Sequence, residues 1–156
     1  MRVVSLAGAC SLAWLLLIVA ACSRTPSDPV RELLGELESA AEARDADRIE
    51  ARLSDGFEGQ AGLSRADTLA ILRRYFAAYE TVAIEVYGVE TELADGSAGV
   101  RLRADFAGEA RKLGPLAAVL PPTAFYRFEL GVADVGGTWR VMKATWETMP
   151  PPGEPK

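Results

Sequence analysis

Ala98-Gly99-Val100-Arg101-Leu102-Arg103-Ala104-Asp105-Phe106 alternates apolar and polar residues without a break, Gly99 standing on the polar side. Successive side chains of an extended chain point to opposite faces, so this period of two predicts a strand with one face buried and one in water. Asp95-Gly96, just before it, is a hairpin-turn pair. Beyond that turn Val82, Ile84 and Val86 keep the same period, and Val89 takes the opposite phase after Gly88, which predicts a bulge. Downstream, residues 125–133 put Tyr126, Phe128, Leu130 and Val132 on one face; Gly136-Gly137 turns the chain and residues 139–146 close the sheet. Residues 108–122 are expected to interrupt it.

Before Thr81 the period is helical. Asp28 caps and Pro29 opens a helix expected to run to about Arg44, with Val30, Leu33, Leu34, Leu37 and Ala41 along one stripe. Asp45 caps a short second helix carrying Ala46, Ile49 and Leu53, which Ser54-Asp55-Gly56 is expected to stop. Phe57 follows in a short extended piece, and residues 59–62 form a loop. Ser64-Arg65-Ala66-Asp67 is a capping box with Asp in place of Glu, opening a third helix whose buried stripe is Leu69, Leu72, Phe76 and Tyr79. The fold class that follows is α+β: three N-terminal helices packed on a curved, mainly antiparallel sheet.

The first residues read as an address. Arg2 gives a positive end, and residues 12–21 are an apolar core of signal-peptide length that ends in small residues. Val19-Ala20-Ala21-Cys22 resembles the lipobox of bacterial lipoproteins, which implies cleavage before Cys22 and lipidation of its thiol. Two other readings stay open. One is an ordinary cleaved secretory signal with Cys22 incidental. The other is an uncleaved membrane helix, since residues 3–23 carry no charge, although Ser5, Gly8, Cys10 and Ser11 dilute their first half. The earlier match ending at Cys10 has almost no apolar region before it and is rejected. The lipoprotein resemblance implies an envelope location, anchored by acyl chains that make membrane attachment effectively permanent. Ser23, where Asp would favour inner-membrane retention, points to the outer membrane with the domain facing the periplasm. The organisation expected is a signal peptide over 1–21, a lipidated tether over 22–28, a domain over 29–147 and a Pro-rich disordered tail over 148–156.

Composition narrows the chemistry. The chain of 156 residues has a formal net charge of -5, and loss of Arg2 with the signal makes it one unit more acidic. Without a basic run it is a poor match to a phosphate backbone, so nucleic acid is not expected as a partner. There is no histidine, and neither of the two cysteines lies beyond position 22. The mature domain would then hold no thiol, no disulfide and no imidazole, and no cofactor, metal or catalytic residue is nominated. Asp45 and Asp47 read as cap and first-turn charges rather than a metal pair. Asp105, with Arg101 and Arg103, reads as a solvated face. Tyr75, Tyr79 and Tyr126 read as core or dimer contacts, and Trp139 and Trp146 as packing.

The Arg44-Asp45 link, the Asp55-Gly56-Phe57 exit and the closing Gly137-Thr138-Trp139-Arg140-Val141 with Trp146 together resemble the nuclear transport factor 2-like superfamily. The resemblance covers residues 30–147 and implies a cone whose mouth can hold an apolar ligand, often with dimers through the sheet. It implies a lining that includes Leu37, Phe57, Phe76, Tyr126 and Phe128. The family's isomerases need a buried carboxylate base and an oxyanion hole. Here the first helix has no tyrosine, and Glu58 near the base position is flanked by Gly59 and Gln60 and expected in a loop. The reading is a non-catalytic binding or interaction domain, with a small apolar ligand in the cone, or a carboxylate-dependent isomerase or lyase, as alternatives. The apolar run over 113–122 is expected to be a strand extension or a loop folded over the cone mouth, or else to offer a patch to a partner or lipid surface.

Overall fold

Asp28 opens the first helix as its residue type dictates, its carboxylate accepting the Val30 and Arg31 N–H groups at 3.1 and 3.3 Å. The computed structural model describes residues 28–111 and 121–151. The signal segment with Cys22, the tether before Asp28, most of the 113–122 run and the end of the Pro-rich tail lie outside them.

Helix α1 spans Pro29–Glu42 and buries Val30, Leu33, Leu34 and Ala40. It ends before the Arg44 expected from its pattern, because Arg44 turns into the left-handed region at φ 56°. Asp45 caps α2 (Ala46–Arg52), accepting the Arg48 N–H at 3.0 Å. The Ser64–Asp67 box forms as expected, Ser64 Oγ accepting the Asp67 N–H at 3.2 Å at the start of α3 (Arg65–Ala78).

Two local expectations are corrected. Ser54-Asp55-Gly56 does not form a stop: α2 ends at Arg52 and residues Leu53–Glu58 form strand β1. A parallel partner far along the chain, with Leu53 opposite Val141, draws this segment into the sheet, which local turn residues could not reveal. The three helices are therefore not consecutive, since β1 and a short 3-10 turn (Gln60–Gly62) stand between α2 and α3. Tyr79 is not the last residue of the third helical stripe. It begins β2 (Tyr79–Ala94), paired to Ala110, because the ladder to β3 offers more backbone bonds than one further helical turn.

The sheet order is β1-β5-β4-β3-β2, with β3 Ser97–Ala110, β4 Thr123–Asp134 and β5 Trp139–Met149. Only the β1–β5 pairing is parallel. Gly88 sits at φ 60° where the β2–β3 register shifts between Tyr87 and Glu90, so the expected bulge is present. Strand β3 persists to Ala110, past the start of the expected interruption, and β5 reaches Met149, past the expected boundary at 147. Glu42 reaches the free edge of β2 and accepts the Ile84 N–H at 3.1 Å, which blunts that edge.

One face of the sheet carries the core. Across it run the rows Ala98–Val132–Val141, Val100–Leu130–Ala144, Leu102–Phe128–Trp146 and Ala104–Tyr126–Thr148. Against these rows pack Val30, Leu33, Leu34 and Leu37 of α1, Ile49 of α2, Leu53 and Phe57 of β1, and Leu69 and Leu72 of α3. Each fully buried Val or Leu among them contributes about 1.5–3 kcal/mol.

Candidate functional site

The residues expected to line the cone divide into two groups. Leu37, Phe57 and Phe128 belong to the packed core, with Phe57 buried and the other two half-buried against it. Tyr126 lies beside Phe128, ring centres 6.0 Å apart. Phe76 does not join them. It lines an open recess at the C-terminal end of α3. Phe76 lies on the same helical stripe as Leu69 and Leu72, but the stripe leaves the core before the last turn of α3, and Ile71 and Tyr75 face outward at 37% and 51% exposure.

Tyr126 and Phe128, which the strand pattern puts on one face, join Trp146 in an aromatic end of the core. Phe128 bridges Tyr126 and Trp146, the latter at 6.3 Å. Tyr79 stands edge-on to Phe106, ring centres 5.0 Å apart at 74°, and donates its hydroxyl to the Pro121 carbonyl at 3.0 Å. Tyr75, Tyr79 and Tyr126 are close enough to influence one another's ionisation. Burial, then the neighbouring phenols, raises Tyr79 above the ordinary phenol value, and burial, then Tyr75, does the same for Tyr126. The signal that could have found this cluster is the register, since Ala104 opposite Tyr126 and Leu102 opposite Phe128 set the rings on one face.

Among the described residues no carboxylate is buried in this region. Among the described residues the buried polar one is Ser54, at 4% exposure. Glu58, near the base position implied by the family resemblance, is exposed and accepts from Lys143 Nζ at 3.1 Å. It faces away because β1 puts Phe57, not Glu58, into the core. Asp45 is the cap of α2 and Asp47 accepts from Arg73 at 2.9 Å. On the outer face of the sheet Asp105 accepts from the Tyr87 hydroxyl at 2.8 Å, and Arg127 pairs with Glu147 at 2.6 Å. Arg101 pairs there with Glu92. A dimer through this face would have to desolvate those pairs.

The recess that contains Phe76 has a volume of about 330 Å³ and lies between the α1–α2 link, α3 and the end of β3. Arg44, Arg73 and Arg111 line it, with Ala43, Ala46 and Ala77. Arg44 Nη1 and Arg111 Nε both donate to the Tyr79 carbonyl, at 2.8 and 3.2 Å.

No protein-family model and no curated protein matches the chain. Solved structures do. A protein with a cystatin-like fold from Caulobacter vibrioides superposes at a TM-score of 0.65 and 17% identity, over 80% of this chain and 89% of that one. A nuclear transport factor 2-like protein from Cytophaga hutchinsonii gives 0.62 and 14%, over 77% and 95%. A hexachlorocyclohexane dehydrochlorinase gives 0.62 and 11%, over 81% and 93%. At such identities the likeness speaks of architecture alone, and the architecture is the nuclear transport factor 2-like, cystatin-like α+β fold.

Proposed function

We propose that the chain is a lipid-anchored protein of the bacterial envelope, acylated at Cys22 and facing the periplasm, whose domain binds rather than catalyses. The observation that carries the binding reading is the filled cone: Leu33, Leu34, Phe57, Leu69, Val100 and Leu102 occupy the space between helices and sheet. Carbon-acid chemistry in a cone needs a desolvated carboxylate with raised proton affinity, and the carboxylates of the described residues sit on the surface. A fold shared with a dehydrochlorinase does not supply that group, because activity resides in the site rather than the fold. Metabolic labelling with a fatty acid tests the anchor. Label should enter the native chain and be absent from Cys22→Ser, which should leave the membrane fraction. Label retained by Cys22→Ser, or none in the native chain, would sink the anchor.

A second reading is favoured by the aromatic end of the core. Tyr126, Phe128 and Trp146 form a half-buried row beside exposed Tyr75, which suits a flat apolar ligand lodged at the mouth rather than deep in the cone. Native mass spectrometry of protein from its host would reveal a retained ligand. Its loss in Tyr126→Ala with the fold intact supports this reading, and its persistence there counts against it.

A further inference from the structure

We infer that the recess between the α1–α2 link, α3 and the end of β3 is a phosphate-binding site, with Arg44 and Arg111 as its ligands.

The charges in the recess are unevenly paired. Arg73 is held by Asp47 and Glu50 at 2.9 and 3.0 Å, and these bonds raise its already high pKa further. Arg44 and Arg111 have no carboxylate within 4.0 Å among the described residues. Both instead donate to one neutral acceptor, the Tyr79 carbonyl, so the two donor nitrogens lie no farther apart than the sum of 2.8 and 3.2 Å. Two like charges at that separation repel each other, and the carbonyl at the C-cap of α3 offers only about half of one negative charge to the pair. Asp45, the nearest acid in sequence to Arg44, is engaged as the cap of α2. In a chain of net charge -5, these are two cations that no carboxylate of the described residues pairs with.

The surroundings suit an incoming anion. Each guanidinium uses one edge on the carbonyl and has further N–H donors with no partner among the described residues, in the planar fork that matches phosphate oxygens. The neighbouring Ala43, Ala46 and Ala77 carry only methyl groups, which leaves the recess open, and Phe76 supplies an apolar wall. Arg44 reaches its position from φ 56°, where glycine or asparagine would end a helix at less cost. The two guanidinium forks approach from different directions, so the tetrahedrally set oxygens of a phosphate fit them better than the two coplanar oxygens of a carboxylate. The phosphate could belong to a soluble ester or to a lipid headgroup. The site lies outside the cone core and its argument is independent of the lipid anchor.

The test uses the full chain in nonionic detergent. Its thermal unfolding midpoint is followed with inorganic phosphate against chloride at equal ionic strength, and separately in micelles carrying phosphatidylglycerol or phosphatidylcholine. A site about 100-fold above its dissociation constant should raise the midpoint by several degrees. Arg44→Gln and Arg111→Gln should each abolish the rise, whatever they do to the midpoint without phosphate. A rise with inorganic phosphate assigns the site to soluble phosphate groups, and a rise only with phosphatidylglycerol assigns it to a headgroup. Nitrogen-15 spectra of the native chain provide a second readout: the side-chain Nε–H signals of Arg44 and Arg111 should move with phosphate while that of Arg31 stays. No rise from any probe, a rise retained in both variants, or unmoved Arg44 and Arg111 signals would show that the two arginines only latch the α1–α2 link to Tyr79.

Discussion

Truncating Tyr79 should separate the contributions at the α3–β2 junction. Its ring is 1% exposed, and among the described residues its one side-chain polar bond runs to the carbonyl of Pro121, an exposed residue that water can reach. Tyr79→Phe therefore loses one hydrogen bond whose acceptor can be rehydrated, about 0.5–1 kcal/mol. Tyr79→Ala empties an aromatic site, about 3–5 kcal/mol. Of that, the edge-on contact with Phe106 accounts for about 0.5–1.5 kcal/mol and can be isolated by a double-mutant cycle with Phe106→Ala. The backbone carbonyl that Arg44 and Arg111 use remains in every variant. Against a total stability of about 5–15 kcal/mol for a domain of this kind, the alanine variant gives up a large share. Urea unfolding, followed by the fluorescence of Trp139 and Trp146 on β5, measures each step. A Tyr79→Ala cost below about 2 kcal/mol, or a Tyr79→Phe cost equal to it, would refute the assignment of stability to the buried ring.

Gly35 lies in the middle of α1 on its exposed side, and a Cβ there would meet nothing within 4 Å. Gly35→Ala should stabilise the domain by about 0.5–1 kcal/mol, read as a higher urea midpoint at unchanged slope. Gly108→Ala should do the opposite, since its Cβ would come within 2.7 Å of Tyr79 Cδ1 and 2.8 Å of Phe106 Cζ, two rings locked against each other. A loss of about 1–3 kcal/mol is expected, and a neutral result would mean the two rings have room to move. Tyr79 and Tyr126 hold their protons more tightly in the folded chain than the ordinary phenol does. Their stabilisation is thus full below about pH 10 and is lost as pH rises through the folded values. Unfolding measured across that range should show stability falling, with a shallower fall in Tyr126→Phe; a flat profile would contradict the burial of these phenols. Asp28→Ala should cost about 1 kcal/mol by orphaning the Val30 and Arg31 N–H groups, seen as early fraying of α1 in hydrogen exchange.

Most of the sheet was legible from the chain itself because its signals are local. The alternation over Ala98–Phe106, the Asp95-Gly96 turn and the Gly88 bulge each depend on neighbouring residues, and all three stand in the structure. Both helix caps at Asp28 and Asp45 follow from side chains reaching N–H groups within the next three residues. Strand β1 was legible only as a short extended piece at Phe57; its start at Leu53 and its place in the sheet were not, since its partner Val141 lies far along the chain and the Ser54-Asp55-Gly56 run has turn chemistry. Phe76 was misplaced because helical spacing says which residues share a stripe but not where a stripe ends against the core.

The sequence alone determined the absence of histidine, the restriction of cysteine to the first 22 positions and the acidic balance. It thereby limited the chemistry open to the domain before any fold was known. Only the tertiary structure decided which space is filled and which charges are left unbalanced. Arg44 and Arg111 stand far apart in the chain, and no local pattern relates the two. They converge on the Tyr79 carbonyl because β3 pairs with β2 beside the α1–α2 link. Charge at a site is a sum over neighbours in space, and a one-dimensional pattern cannot supply that sum.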